Sequence, residues 1–179
     1  MALADQVKDN TNKASKIPES TSINGDIYRL KHYSILGQAC HFKKDYSCAE
    51  AAYKEALKIS LNVHGELDSQ TTACFFNLGT LYVDFRNTKE AEKCLIKALN
   101  IQLRTSAKTH SLTAQIYFLL SVIYKWTNRY KEALCALEKT LKTLNSGPTD
   151  DMNFLSIVNK KIQKLRDIIE KGINIIHII

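Results

Sequence analysis

A chain of 179 residues, 45% of them hydrophobic, carries enough apolar material for one continuous core, and its six glycines and two prolines leave long stretches free for helix. A net charge of +7 invites a nucleic-acid reading, yet the bases alternate with acids, as in Lys89, Glu90, Glu92 and Lys93, which is the pattern of a solvated face, and no arginine cluster with interleaved aromatics occurs. No stretch approaches the roughly 18 apolar residues of a membrane span, and the first ten residues lack the apolar run of a signal peptide, so a cytoplasmic protein is expected.

Residues 1–25 are rich in Asp, Asn, Lys, Ser and Thr and read as a flexible or weakly helical arm. Helical periodicity then predicts three pairs, over 27–43 and 46–62, 69–85 and 88–104, and 110–127 and 130–145. Lys44-Asp45, Arg86-Asn87 and Asn128-Arg129 separate the members of each pair. Gly65 is suited to end a helix in the left-handed conformation, and Asp68 or Ser69 to cap the next. The run from Asn145 to Asp150, with Gly147 and Pro148, is a stop signal. Beyond it Phe154, Leu155, Val158, Ile162, Leu165 and Ile169 share one face of a helix placed at 151–172, fitted to close an array that would otherwise expose core. The tail over 173–179 is apolar and β-branched, hence sticky if left bare.

The pairs repeat at an interval of 42 residues: Leu36, Leu78 and Leu120 coincide, as do Ala49, Ala91 and Ala133, and Leu57, Leu99 and Leu141. An internal repeat of this length means stacked units that bury one another. Within the first unit Leu36-Gly37 is followed by Ala49, Tyr53 and Ala56; the second has Leu78-Gly79, Tyr82, Ala91 and Ala98, and the third Leu120, Tyr124, Ala133 and Leu137. This spacing resembles the tetratricopeptide repeat (TPR), although Ser121 stands where Gly is usual, Thr140 where Ala is usual, and Leu95 where an aromatic is usual. The unit is longer than the family's commonest form, and resembles the kinesin-light-chain type. The resemblance implies an all-α fold, a right-handed TPR superhelix (α-solenoid) of three helix pairs plus a C-terminal capping helix, with 26–150 divided into units 30–71, 72–113 and 114–150.

It also implies a protein-binding adaptor or scaffold whose first helices line a concave groove. Transferred place by place, the groove holds Lys31, Ser34, Ile35, Gln38 and His41 in the first unit. The second supplies Ala73, Phe76, Asn77, Thr80 and Val83, and the third Gln115, Phe118, Leu119, Val122 and Lys125. Phe76, Phe118, Leu119 and Val122 suit apolar anchors of a peptide, and the Asn77 amide suits its backbone. The places that would clamp a C-terminal carboxylate hold Ser34, Gln38, Gln115 and Leu119, which lack the necessary charge. The alternative is an oligomerisation module whose groove is filled by its own C-terminal helix or by a second subunit.

Little points to chemistry. The five histidines have no nucleophile or metal-ligand context, no glycine-rich phosphate loop occurs, and no metal, cofactor or catalytic residue is expected. The five cysteines include no C-x-x-C pair and read as small packing residues in a reducing compartment.

Overall fold

The computed structural model describes residues 23–105, 110–146 and 152–176. Among them are seven helices and no strand: α1 (Ile23–Phe42), α2 (Tyr46–Val63), α3 (Ser69–Asp84), α4 (Thr88–Arg104), α5 (His110–Trp126), α6 (Tyr130–Asn145) and α7 (Met152–Ile176). Most of the expected arm, the Gly147 to Asp150 part of the stop signal and the last three residues of the tail lie outside the described residues.

The turn inside each pair is the same device used three times. Lys44, Arg86 and Asn128 adopt left-handed backbone conformations, with φ of 61°, 59° and 58°. The next residue opens the second helix. Asp45 accepts from the Cys48 amide at 3.1 Å and Asn87 from the Glu90 amide at 3.3 Å, satisfying donors that the first turn leaves without partners. Arg129, in the third unit, offers no such cap. Between units, Gly65 takes φ of 83° and Asp68 caps α3 by accepting from the Gln70 amide at 2.7 Å.

Small residues let the helices of a pair meet. A Cβ added at Gly79 would come within 2.7 Å of the Leu95 side chain, and one at Gly37 would strike the Tyr53 ring. Ala49, Ala91 and Ala133 are fully buried at the matching crossings. The principal core runs from Cys40 and Tyr53 through Leu78, Leu81 and Leu95 to Ile116, Leu120 and Ile123, so it crosses both unit boundaries. A second core joins Ala133, Leu137 and Leu144 to Val158, Ile162 and Leu165, where α7 covers the open side of α6. Burying each such aliphatic side chain stabilises the fold by roughly 1.5 to 3 kcal/mol. The helix continues past the expected end at 172, to Ile176. Gly172 inside it costs only about 1 kcal/mol.

One reading of the cysteines is corrected. Cys40 and Cys48 are joined in a disulfide, with Cα atoms 5.8 Å apart. They lie four residues either side of Lys44, so folding the α1–α2 hairpin brings them face to face. Cys74 and Cys94 are free and buried, as packing residues should be, and Cys135 is free and exposed.

Candidate partner-binding groove

Among helices two steps apart, α3 touches α5, which puts these two first helices on the inner side of the curve where they meet. The expected groove residues lie on α1, α3 and α5, and they are not alike in availability. Lys31 and Gln38 are exposed and Ser34 is half-buried on α1. On α3, Phe76 is half-buried against the principal core, and the Thr80 hydroxyl donates to the Phe76 carbonyl at 2.9 Å. Asn77 is half-buried, and its amide has no hydrogen-bond partner among the described residues. On α5, Gln115 is exposed and donates to Ser111 Oγ at 3.3 Å, while Leu119 packs against the principal core.

Two hollows collect part of this set. The first, about 410 Å³, is lined by Gln38, His41, Phe42, Tyr46, Tyr53 and Asp84. His41 Nε2 lies 2.8 Å from Asp84 Oδ2, linking the ends of α1 and α3, and its ring meets Tyr53 edge-on at 6.4 Å. The second, about 350 Å³, lies where α5 and α6 meet α7 and includes Val122, Lys125, Trp126, Lys161, Lys164 and Ile168. Its wall is apolar and its rim carries three lysines.

Phe118 is already engaged by the protein's own last helix. Its ring meets Phe154 at 5.1 Å, nearly edge-on, and Lys161 stands over it at 5.4 Å. The α7 residues of the second hollow escaped the sequence reading, which took that helix only as a cap. The signal was present: 161, 164 and 168 are spaced by three and four, one step round the helix from the buried 158, 162 and 165.

Polar links that tie the units together also went unread. The Tyr82 hydroxyl donates to Glu50 Oε1 at 2.8 Å, and Lys54 lies 2.7 Å from the same carboxylate. One interval later, Arg129 Nη1 donates to both carboxylate oxygens of Glu92 at 2.9 Å, and its guanidinium stacks over the Tyr124 ring at 4.2 Å. The Lys54 ammonium and then the Tyr82 hydroxyl hold the Glu50 carboxyl below its usual range. Burial, reinforced by Glu50, pushes the Tyr82 hydroxyl well up, so it remains a donor at any ordinary pH. Burial likewise lifts the Cys74 and Cys94 thiols to about 11, and near neutrality neither is a thiolate nucleophile. Among the described residues no group of three His, Cys, Asp or Glu side chains converges to hold a metal ion, and no helix is long and apolar enough to cross a membrane.

Stacked helix pairs with small residues at their crossings, joined in register along the chain, define an α-solenoid, a class built to extend a surface. Tetratricopeptide repeat family models match residues 71–146 and 32–62, and the chain belongs to the TPR family, its fold an all-α TPR superhelix. Two solved structures share that fold. BtubC (BKLC) from P. vanneervenii superposes with a TM-score of 0.75 at 19% identity, over 88% of this chain and 63% of its own. The apo form of RapI gives 0.75 at 18% identity, over 94% of this chain and 58% of its own. The chain thus covers less than two thirds of either. Among curated protein sequences, none matches it.

Proposed function

We propose that this protein is a non-catalytic adaptor that holds a peptide or helix of a partner protein against the inner faces of α1, α3 and α5. The observation that carries the reading is the α5–α7 cleft, an apolar wall of Val122, Trp126 and Ile168 under a rim of Lys125, Lys161 and Lys164. Such a site suits an acidic segment with one or two apolar anchors, because the anchors supply burial and the lysines steer and register the charge. On this reading the half-buried Asn77 amide pairs with the peptide backbone on the way. Nucleic acid is a poor fit, since the lysines frame an apolar cleft rather than a stripe with stacking aromatics. The 42-residue unit's likeness to the kinesin-light-chain type points toward scaffolds of trafficking or the cytoskeleton.

The test is an affinity capture from cell lysate with the parent chain and with Asn77→Ala/Lys125→Glu/Lys164→Glu, after circular dichroism shows equal helicity. Partners lost selectively by the variant would support the groove. An unchanged partner list would sink it.

A second reading is favoured by one observation: α7 already covers Phe118, so part of the groove is filled from within. On that reading the array is an oligomerisation or structural module, with self-association through the C-terminal segment. Light scattering of the full chain against one ending at Gly172 separates the two, since only the second reading has a dimer that the deletion dissolves.

A further inference from the structure

The two edges of the array differ in charge. The turns inside the pairs, 42–47, 84–89 and 126–131, lie at one edge and hold six basic residues against two acidic ones. The described connection at the other edge, 64–68, holds Glu66 and Asp68 and no lysine or arginine. Contacts set the three turns side by side. His41 Nε2 lies 2.8 Å from Asp84 Oδ2, the Tyr46 and Phe85 rings are 5.6 Å apart, and Arg86 stands over the Trp126 ring at 4.6 Å.

The acids of this edge are already engaged, and most of its cations are not. Asp45 accepts from the Cys48 amide, Asp84 is held by His41, and Arg129 is matched by Glu92 and Glu132. Lys43, Lys44, Arg86, Lys89 and Lys131 are exposed, and among the described residues none of them pairs with a carboxylate. Aromatic rings sit among these charges. Phe42 precedes Lys43 and is 91% exposed, and Phe85 precedes Arg86 and is 54% exposed. Phe42 belongs to none of the described cores. Rings set among unpaired cations are complementary to an anionic lipid surface, whose headgroups carry the opposite charge and whose interface takes aromatic side chains. An acidic protein would match the charge, but it would also have to bring a pocket for Phe42, whereas a fluid interface needs none.

We propose that this turn edge docks on the surface of an anionic phospholipid membrane, with Phe42 and Phe85 entering at headgroup level and the five unpaired cations facing the lipid charges. No helix need cross the bilayer. The array then stands on the membrane by one edge, which leaves the inner faces of α1, α3 and α5 accessible, so the inference does not depend on what the groove binds.

Co-sedimentation of the full chain with vesicles at physiological ionic strength tests it, using phosphatidylcholine alone and an equal mixture of phosphatidylcholine and phosphatidylserine. The expected result is binding to the mixed vesicles only. Lys43→Glu/Lys89→Glu is expected to lower the partition coefficient at least about tenfold, and Phe42→Ala at least about threefold. All three side chains are exposed, so the fold is kept, which circular dichroism checks. Lys58→Glu/Lys142→Glu makes the same charge change twelve residues along α2 and α6 from Tyr46 and Tyr130, roughly 18 Å from the edge. That distance exceeds the roughly 8 Å reach of a charge in such salt, and this variant is expected to lose less than about twofold. No binding to the mixed vesicles would overturn the proposal. So would an equal loss in the two double variants, which means attraction by net charge alone, or full binding by Phe42→Ala, which means that the rings do not enter. Capture on polyglutamate without vesicle binding would give the edge to an acidic protein instead.

Discussion

Lys44, Arg86 and Asn128 share a left-handed backbone conformation to which only Asn128 is chemically suited. For a residue with a Cβ this conformation costs about 1 to 2 kcal/mol, which asparagine partly recovers and glycine does not incur. Arg86 offsets the strain by stacking on Trp126 at 4.6 Å, whereas Lys44 is exposed. Lys44→Gly is therefore expected to stabilise the protein by about 0.5 to 1 kcal/mol after the added freedom of the unfolded chain is counted, and Asn128→Gly to change little. Urea midpoints of the two variants check this; a loss of stability in Lys44→Gly would show that its side chain holds the turn. The same three turns explain why the helix boundaries were legible from sequence. Each turn repeats its chemistry at 42 residues, so a prediction of 46–62 meets a helix of Tyr46–Val63. The cysteine pair was not legible, because bonding Cys40 to Cys48 depends on how closely two helix ends return past the turn, and nothing in an eight-residue spacing states that distance.

Between elements, the polar links recur with the period of the core. Glu50 and Glu92 stand on second helices, and Tyr82 and Tyr124 on the first helices that follow. Partners 32 residues apart cannot be paired by inspection of one helix at a time, which is why the sequence reading treated both tyrosines as packing residues alone. The same limit hid the α5–α7 cleft, whose lysines come from helices that no local pattern connects. The Glu50 link has a pH signature. Its carboxyl is held below the usual 4.5 in the fold, chiefly by Lys54 and then by Tyr82, so the folded state favours the ionised form. The resulting stability is fully present above about pH 4.5 and is lost as pH falls through the lower folded value. Glu50→Gln retains an acceptor for Tyr82 but removes the titration. Its urea midpoint, followed from about pH 7 to about pH 3, is expected to lie below the parent's at neutrality and to converge on it in acid. A gap between the two that stays constant through this range would remove Glu50 from the pH dependence.

At the scale of the whole molecule, an array has no single centre, and each unit draws its stability from its own pair and from its neighbours. The α3–α4 pair is flanked on both sides, and the principal core is drawn from it together with α1, α2 and α5. The end helix α7 rests chiefly on α6, through Val158, Ile162 and Leu165. Local opening should therefore be graded along the chain rather than uniform, with α3 and α4 the last to open. Amide exchange in α7 is expected to be at least about tenfold faster than in α3 and α4. That gradient matters for binding, because the lysine-rimmed cleft is built where α7 meets α5 and α6: a helix that opens below the global stability can lift from Phe118 and enlarge the site without unfolding the array. If instead all seven helices exchange at one rate, the chain is a single cooperative unit and the cleft is fixed in shape. A partner would then have to fit the hollow as it stands, between Val122, Trp126 and Ile168.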